Sequence, residues 1–90
     1  MAKKIAVVVR DRQSEALRMA VGMILLDDII DVYVLDRKVE DNDQNNLNLE
    51  TMGDLDISLY TNTKENGNMI KLTTREIADR LLDYDTVLMY

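Results

Sequence analysis

The chain has no cysteine, no histidine and no proline among its 90 residues. The lack of cysteine excludes disulfides and thiolate metal sites, and the lack of histidine removes the commonest metal ligand together with the usual general base near neutral pH. We therefore expect no metal and no cofactor. The sequence leaves enzymatic activity open but favours a protein that is not an enzyme, because it contains no recognisable catalytic set.

Aromatic residues are also scarce: they make up 4% of the chain and all of them are tyrosine, whereas hydrophobic residues make up 47%. The predicted core is therefore aliphatic. A chain of this length corresponds to one domain, residues 1–90, and folding hides roughly 60–65% of the surface of an unfolded chain of this size. Such a small core leaves a narrow margin of stability.

The chain is acidic, with a formal net charge of −6. Binding to nucleic acid or to anionic membranes needs a positive field, so we expect neither partner. The apolar run Ile5–Val9 is shorter than the core of a signal peptide, which has about 7–15 residues, and Arg10 follows it directly. No segment is long enough to span a bilayer, and we expect a cytoplasmic protein.

Short apolar runs alternate with helical patterns along the chain. The order predicts an α/β fold, with a single-domain, mostly parallel sheet of four to five strands and helices on both faces. Strands are predicted at Ile5–Val9, about Asp31–Leu35, Ile57–Thr61 and Thr86–Tyr90, and long helices from about Gln13 to Leu26 and from a cap at Thr73 or Thr74 to Leu82.

Two segments are harder to interpret. Residues 37–48 are polar and rich in asparagine, which predicts a mobile loop, followed by a short helix from about Asn48 to Met52 that ends at Gly53. The pair Asn66-Gly67 is a strong turn signal. Residues 69–72 then form either the second strand of a hairpin or a loop into the last helix, and the pattern favours the loop.

The first predicted helix is apolar over most of its surface, leaving a narrow polar strip of Glu15, Arg18 and Gly22. A surface helix needs one apolar stripe, so wider apolar coverage implies burial on a second side. In so small a chain the simplest cover is another copy of the protein or a related subunit. The candidate interface residues are Met19, Met23 and Leu26.

Cations gather where the first three strands end, although the protein is acidic. Ligands of parallel α/β sheets bind beyond the carboxyl ends of the strands, and five of the eleven cations are predicted at that edge. Local neutralisation is the alternative explanation, by the carboxylates of Asp11, Asp36, Glu40 and Asp41. Glycine-rich phosphate loops are missing. The candidate site for a small anion or nucleotide comprises Arg10, Arg12, Arg37, Thr61, Asn62, Thr63 and Lys64.

The segments KKIAVVV, DVYVLDR and REIADRLLDYDTVLMY resemble small proteins of the DsrE/DsrF/DsrH-like sulfur-relay family. The resemblance implies a flavodoxin-like α/β fold and assembly into homo- or hetero-oligomers. Sulfur-carrying members hold a persulfide-accepting cysteine in the loop after the third strand. Here that loop reads LYTNTKENG, so the resemblance implies a member that lacks the active cysteine.

Two hypotheses of different kinds follow. The first is a non-catalytic, DsrE-like oligomeric subunit that acts through protein–protein contacts, linked to sulfur relay by the resemblance. The alternative is a module that binds a small anion or nucleotide at the carboxyl edge of the sheet. An enzyme that uses carboxylate or substrate-assisted chemistry is a third and weaker hypothesis.

Overall fold

The structure is a computed structural model that describes residues 3–23, 29–36, 38–55, 57–67 and 69–90. Within these residues lie a five-stranded sheet and three helices. In chain order the elements are β1 (Lys4–Val9), α1 (Gln13–Met23), β2 (Ile29–Val34), α2 (Asp43–Asp54), β3 (Ser58–Thr61), β4 (Ile70–Lys71), α3 (Thr74–Leu81) and β5 (Thr86–Met89).

All paired strands of the sheet are parallel, and their order is β4-β3-β2-β1-β5. Val7 of β1 lies opposite Val32 of β2 on one side and Leu88 of β5 on the other. The predicted α/β class with a mostly parallel sheet is therefore confirmed. The β-branched run of β1 is buried, as expected for a strand covered on both faces.

Successive side chains of each strand point to opposite faces of the sheet, and each face has its own core. On one face Val7 packs in a cluster with Leu17 of α1 and Met52 of α2. On the other face Ala6 and Tyr33 pack with Ile77 of α3. Helices therefore cover both faces, as predicted, with α1 and α2 on one and α3 on the other.

The prediction of a mobile loop over 37–48 was wrong for residues 43–48, which are helical, while residues 38–42 lie in neither helix nor strand and residue 37 lies outside the described residues. Helix α2 begins at Asp43, with Asn42 as its N-cap, and the side chain of Asn42 accepts the main-chain N–H of Asn45 at 2.8 Å. Asn45 itself is fully buried and donates to the carbonyl of Glu40 at 3.1 Å. These amides start the helix instead of breaking it, because the fold satisfies their hydrogen bonds internally.

Helix α2 is also longer than predicted. The expected short helix Asn48–Met52 lies inside it, and the helix continues past Gly53 to Asp54. Gly53 therefore does not end the helix, and its main chain does not adopt a positive φ. The buried Met52 provides the physical reason for the extension, because it ties the last turn to the core beneath α1.

The segment after the Asn66-Gly67 turn forms β4, which pairs with β3 in parallel, with Tyr60 opposite Ile70. Both sequence-based alternatives, an antiparallel hairpin and a simple loop, were wrong. The side chain of Asn66 is buried, accepts the N–H of Val39 at 3.0 Å and donates to the hydroxyl of Thr61 at 3.1 Å. This anchoring holds the turn against the sheet, so that the chain reaches the edge of β3 running in the same direction.

The ends of the two long predicted helices agree with the structure where it describes them. Helix α1 is described as far as Met23, and residues 24–26 of the prediction lie outside the described residues. Thr73 caps α3 in a reciprocal capping box with Glu76. Hydrogen bonds from the main chain and then the side chain of Thr73 lower the pKa of the Glu76 carboxyl.

Candidate functional site

The loops at the carboxyl edge of the sheet are joined by side chains that the sequence had singled out. Arg10, after β1, pairs with Asp36, after β2, at 3.0 Å. The side chain of Asn62, after β3, accepts the main-chain N–H of Asp36 at 2.8 Å and donates to its carboxylate at 3.0 Å. Asn62 also donates to the hydroxyl of Thr74 at 3.1 Å, which links the edge to the start of α3.

Asp36 is held in a left-handed main-chain conformation, with φ of 68°. Aspartate tolerates this region better than most residues, but it is uncommon outside glycine. The two hydrogen bonds with Asn62 and the ion pair with Arg10 support the conformation. The arrangement fixes three loops relative to one another.

The hydroxyls of Thr61 and Thr63 are used in hydrogen bonds within the protein. The hydroxyl of Thr61, which is fully buried, donates to the carbonyl of Val34 at 2.8 Å and accepts the side-chain N–H of Asn66. It also accepts the main-chain N–H of Thr63 at 3.2 Å, and the hydroxyl of Thr63 in turn accepts the N–H of Glu65 at 3.3 Å. The hydroxyls of the loop after β3 therefore organise the loop.

The remaining cations of the predicted anion site lie in different surroundings. Arg12 pairs with Glu15 at 3.5 Å, and its guanidinium lies 5.3 Å from the centre of the Tyr90 ring. Lys64 is exposed, and Arg37 lies outside the described residues. Among the described residues, hydrogen bonds and an ion pair join Arg10 and Asn62 through Asp36, whereas the side chain of Arg12 contacts Glu15 and Tyr90.

The electrostatics near the start of α1 also disfavour an anion. A small cavity of about 190 Å³ is lined there by three carboxylate residues, Asp11, Glu15 and Glu40, against one arginine, Arg12. The main-chain N–H groups of residues 10 and 11 donate to the carbonyl of Tyr90, at 2.9 and 3.3 Å. These two donors are used within the fold and precede the first turn of α1.

A larger groove runs along the outer side of α1 beside the end of β5. Its volume is about 700 Å³, and it is lined by Glu15, Arg18, Met19, Gly22, Met23 and Tyr90. The five helical residues recur at the spacing of one helix face. Met19 is 45% exposed and Met23 is half-buried, so two of the three predicted interface residues border this groove. The third, Leu26, lies outside the described residues.

Sequence reasoning missed a polar tyrosine cluster on the α3 face, made of Tyr33, Tyr60 and Tyr84 with Asp31 and Arg80. The rings of Tyr33 and Tyr60 stack with centres 4.9 Å apart, and the Tyr84 ring meets Tyr33 edge-on at 5.9 Å. Arg80 donates to the hydroxyls of Tyr33 at 3.2 Å and Tyr60 at 2.9 Å. Its guanidinium lies 4.6 Å from the centre of the Tyr60 ring.

The cluster shifts the ionisation of two of its members. Burial, followed by hydrogen bonds with Asp31 and Tyr33, raises the pKa of the Tyr84 phenol. The hydrogen bond to the Tyr33 hydroxyl raises the pKa of the Arg80 guanidinium. The sequence did place Tyr33 and Tyr60 within two predicted strands. In the structure β2 and β3 pair so that the two residues lie directly opposite one another.

No protein-family model matches the chain, and no curated protein or solved structure is significantly similar to it. Within the described ranges, no helix has the length and apolar character needed to cross a membrane. In that same part of the chain, the carboxylate side chains form no group suited to a metal ion.

Proposed function

We propose that this chain is a non-catalytic, DsrE-like subunit of an oligomer and acts through protein–protein contacts. The observation that carries the proposal is the groove beside α1, where Met19 and Met23 face an open space next to Tyr90. The family and the link to sulfur relay rest on the sequence resemblance. The partner is a second copy of the chain or a related subunit.

The groove has the features of a contact surface. Methionine is flexible and polarisable, and it adapts to irregular partner surfaces. The groove offers two methionines and one tyrosine between the charged side chains of Glu15 and Arg18. An apolar centre with a polar rim is the usual anatomy of a protein interface.

The loop after β3 supports a role without catalysis. In the family that the chain resembles, this loop holds the reactive cysteine. Here the hydroxyl of Thr61 and the amide of Asn62 hold neighbouring loops together instead. A hydroxyl that is buried and already bonded is a poor nucleophile without a base to activate it. Structural use of these groups agrees with a subunit whose task is binding.

Sedimentation of the whole chain tests the proposal. We expect the wild type at tens of micromolar to sediment as a species heavier than the 10.4 kDa monomer. Met19→Lys is expected to shift it to the monomer, because a charge in the apolar centre of an interface must be desolvated there. Met23→Lys serves as a second trial, and circular dichroism reports whether each variant folds.

The matched control is Leu47→Lys, which places the same charge on an exposed leucine of α2. We expect this variant to keep the wild-type mass. A wild type that stays monomeric over the whole concentration range would contradict the proposal. A mass that falls equally in the Met19 and Leu47 variants would show that the groove is not the contact surface.

A further inference from the structure

Strand β5 forms one edge of the sheet, and within the described residues it pairs with β1 alone. Tyr90, just after the strand, shows which way the main chain faces: its N–H donates to Val8 and its carbonyl accepts from Arg10, both at 2.9 Å. Main-chain groups alternate in direction along a strand. Leu88 therefore faces β1, whereas the N–H and carbonyl groups of Val87 and Met89 face outward.

Within the part of the chain that the structure describes, the outward edge of β5 has little of the usual protection. Proteins block exposed edge strands with lysine, proline, bulges or very short strands. The segment Thr86–Met89 contains neither lysine nor proline, and Met89 is 66% exposed. The opposite edge differs, because β4 has only two residues and one of them is Lys71.

We propose that β5 pairs antiparallel with β5 of a second copy of this chain, around a two-fold axis at Leu88. The inference deepens the proposed function, on which it rests, by naming the partner and the contact. In this register Val87 of each copy lies opposite Met89 of the other, and Leu88 lies opposite Leu88. The outward N–H and carbonyl groups of Val87 and Met89 then bond to those of the second copy, and the two sheets become one.

Side chains on both faces suit this register. Residues directly opposite in an antiparallel pair point to the same face. Val87 and Met89 lie on the α3 face, where the pairing twice joins two exposed apolar side chains. Leu88 lies on the α1 face, opposite Leu88 of the second copy. Tyr90 lies opposite Thr86 of the second copy and remains beside the groove that Met19 borders.

Charge complementarity favours the antiparallel direction. Asp83 and Asp85 precede β5, whereas Arg12 lies against Tyr90 at its far end. Antiparallel pairing brings Asp83 and Asp85 of one copy toward Arg12 of the other, and the symmetry repeats this at both ends. The ion pair of Arg12 with Glu15 is solvent-exposed and weak, so it does not withhold Arg12 from the second copy.

Cysteine cross-linking tests the register, because the chain has no cysteine of its own. A non-hydrogen-bonded antiparallel pair has Cα atoms about 4.5 Å apart, within the range of a disulfide. We expect Leu88→Cys to form a covalent dimer under mild oxidation. The expected rate is on the order of tenfold or more above that of Leu82→Cys, because paired strands hold the two thiols at high effective concentration.

Leu82 is the matched control because it is 83% exposed and lies at the end of α3, outside the paired strand. The Val87→Cys and Met89→Cys variants sharpen the register. Each variant alone should cross-link poorly. In the proposed register the two copies of the same cysteine are offset by two residues, so their Cα atoms lie beyond the roughly 7 Å limit of a disulfide. A mixture of the two should cross-link at a rate well above that of either one alone.

A second measurement does not depend on oxidation. We expect Met89→Lys to lower the sedimenting mass to that of the monomer, and Leu82→Lys to leave it unchanged. Cross-linking of Leu88→Cys no faster than that of Leu82→Cys would overturn the strand pairing. If Met19→Lys still dissociated the assembly in that case, the proposed function would stand and only the contact would be wrong. A wild type that is monomeric throughout would overturn both.

Discussion

The hydroxyl oxygens of Tyr33 and Tyr84 lie 2.7 Å apart, between residues separated by 51 positions in the chain. The direction of this hydrogen bond follows from its neighbours. Tyr84 donates its only hydroxyl proton to Asp31, so Tyr33 must be the donor between the two tyrosines. Arg80 donates to Tyr33 in turn, and a directed chain of hydrogen bonds therefore runs from a guanidinium to a carboxylate through two phenols.

Removing the middle of this chain should cost stability. In Tyr84→Phe, the half-buried carboxylate of Asp31 loses its donor and the hydroxyl of Tyr33 loses its acceptor. We expect the free energy of unfolding to fall by about 1–3 kcal/mol, as for other partners left unsatisfied. Urea unfolding followed by circular dichroism measures it.

Tyr90→Phe is the control for that substitution. The Tyr90 ring contacts the guanidinium of Arg12 through its face, which phenylalanine retains. We expect a change within about 0.5 kcal/mol. Equal losses in the two variants would show that the hydrogen-bond chain through Tyr84 has no special weight.

The raised pKa of Tyr84 predicts a loss of stability at alkaline pH. A phenol whose pKa is higher in the folded than in the unfolded state stabilises the fold below its unfolded value of 10.0, and this contribution is lost as the pH rises above that value. The stability difference between the wild type and Tyr84→Phe should therefore shrink from about pH 9 to about pH 11. Urea unfolding of both proteins across this range measures it, and a constant difference would contradict the assignment.

The buried hydroxyl of Thr61 should matter more than its methyl group. Thr61→Val leaves the side-chain N–H of Asn66 and the main-chain N–H of Thr63 without their acceptor. We expect a loss of about 1–3 kcal/mol in the free energy of unfolding. Thr61→Ser keeps the hydroxyl and should recover most of the loss attributed to these hydrogen bonds. A serine variant as unstable as the valine variant would assign the effect to packing.

Binding of small anions at the carboxyl edge should be weak. Arg10 and Arg12 are each paired with a carboxylate, and the cavity beside Arg12 is lined by three acidic residues against one arginine. We expect sulfate and nucleotides to leave the thermal unfolding midpoint unchanged at constant ionic strength. A shift that appears with the wild type and disappears with Arg12→Ala would reverse this expectation and support the anion-binding hypothesis.

Local sequence patterns were sufficient for much of the fold. The run Ile5–Val9 predicted a buried strand because β-branched side chains suit a sheet covered on both faces. A cap at Thr73 or Thr74 was predicted for the start of α3, and Thr73 provides it, since its hydroxyl bonds to a main-chain N–H only three residues ahead. Helical spacing made Met19 and Met23 candidate interface residues but could not tell which apolar residues of α1 face the sheet, and in the structure both border the open groove.

Local patterns failed where distant partners satisfy polar groups. Asn45 looked like a loop residue, but the hydroxyl of Ser14, 31 positions away, donates to its side chain and helps to fix it beneath α1. The same holds for Asn66, whose bond to Val39 spans 27 positions and positions the approach to β4. Composition carries no information about such partners. A polar side chain is expected to be exposed to solvent, but it can be buried when the fold supplies a hydrogen-bond partner.

The sequence alone was enough to specify a small α/β protein with an aliphatic core and without thiol or imidazole groups. These properties depend on composition and on short periodic patterns. Strand order, the parallel entry of β4, the tyrosine cluster and the outward edge of β5 depended on the folded chain. Each of these features arises from contacts between residues far apart in sequence. Such a contact forms only when the strands of the sheet pair in the right order and register, which local sequence patterns do not specify.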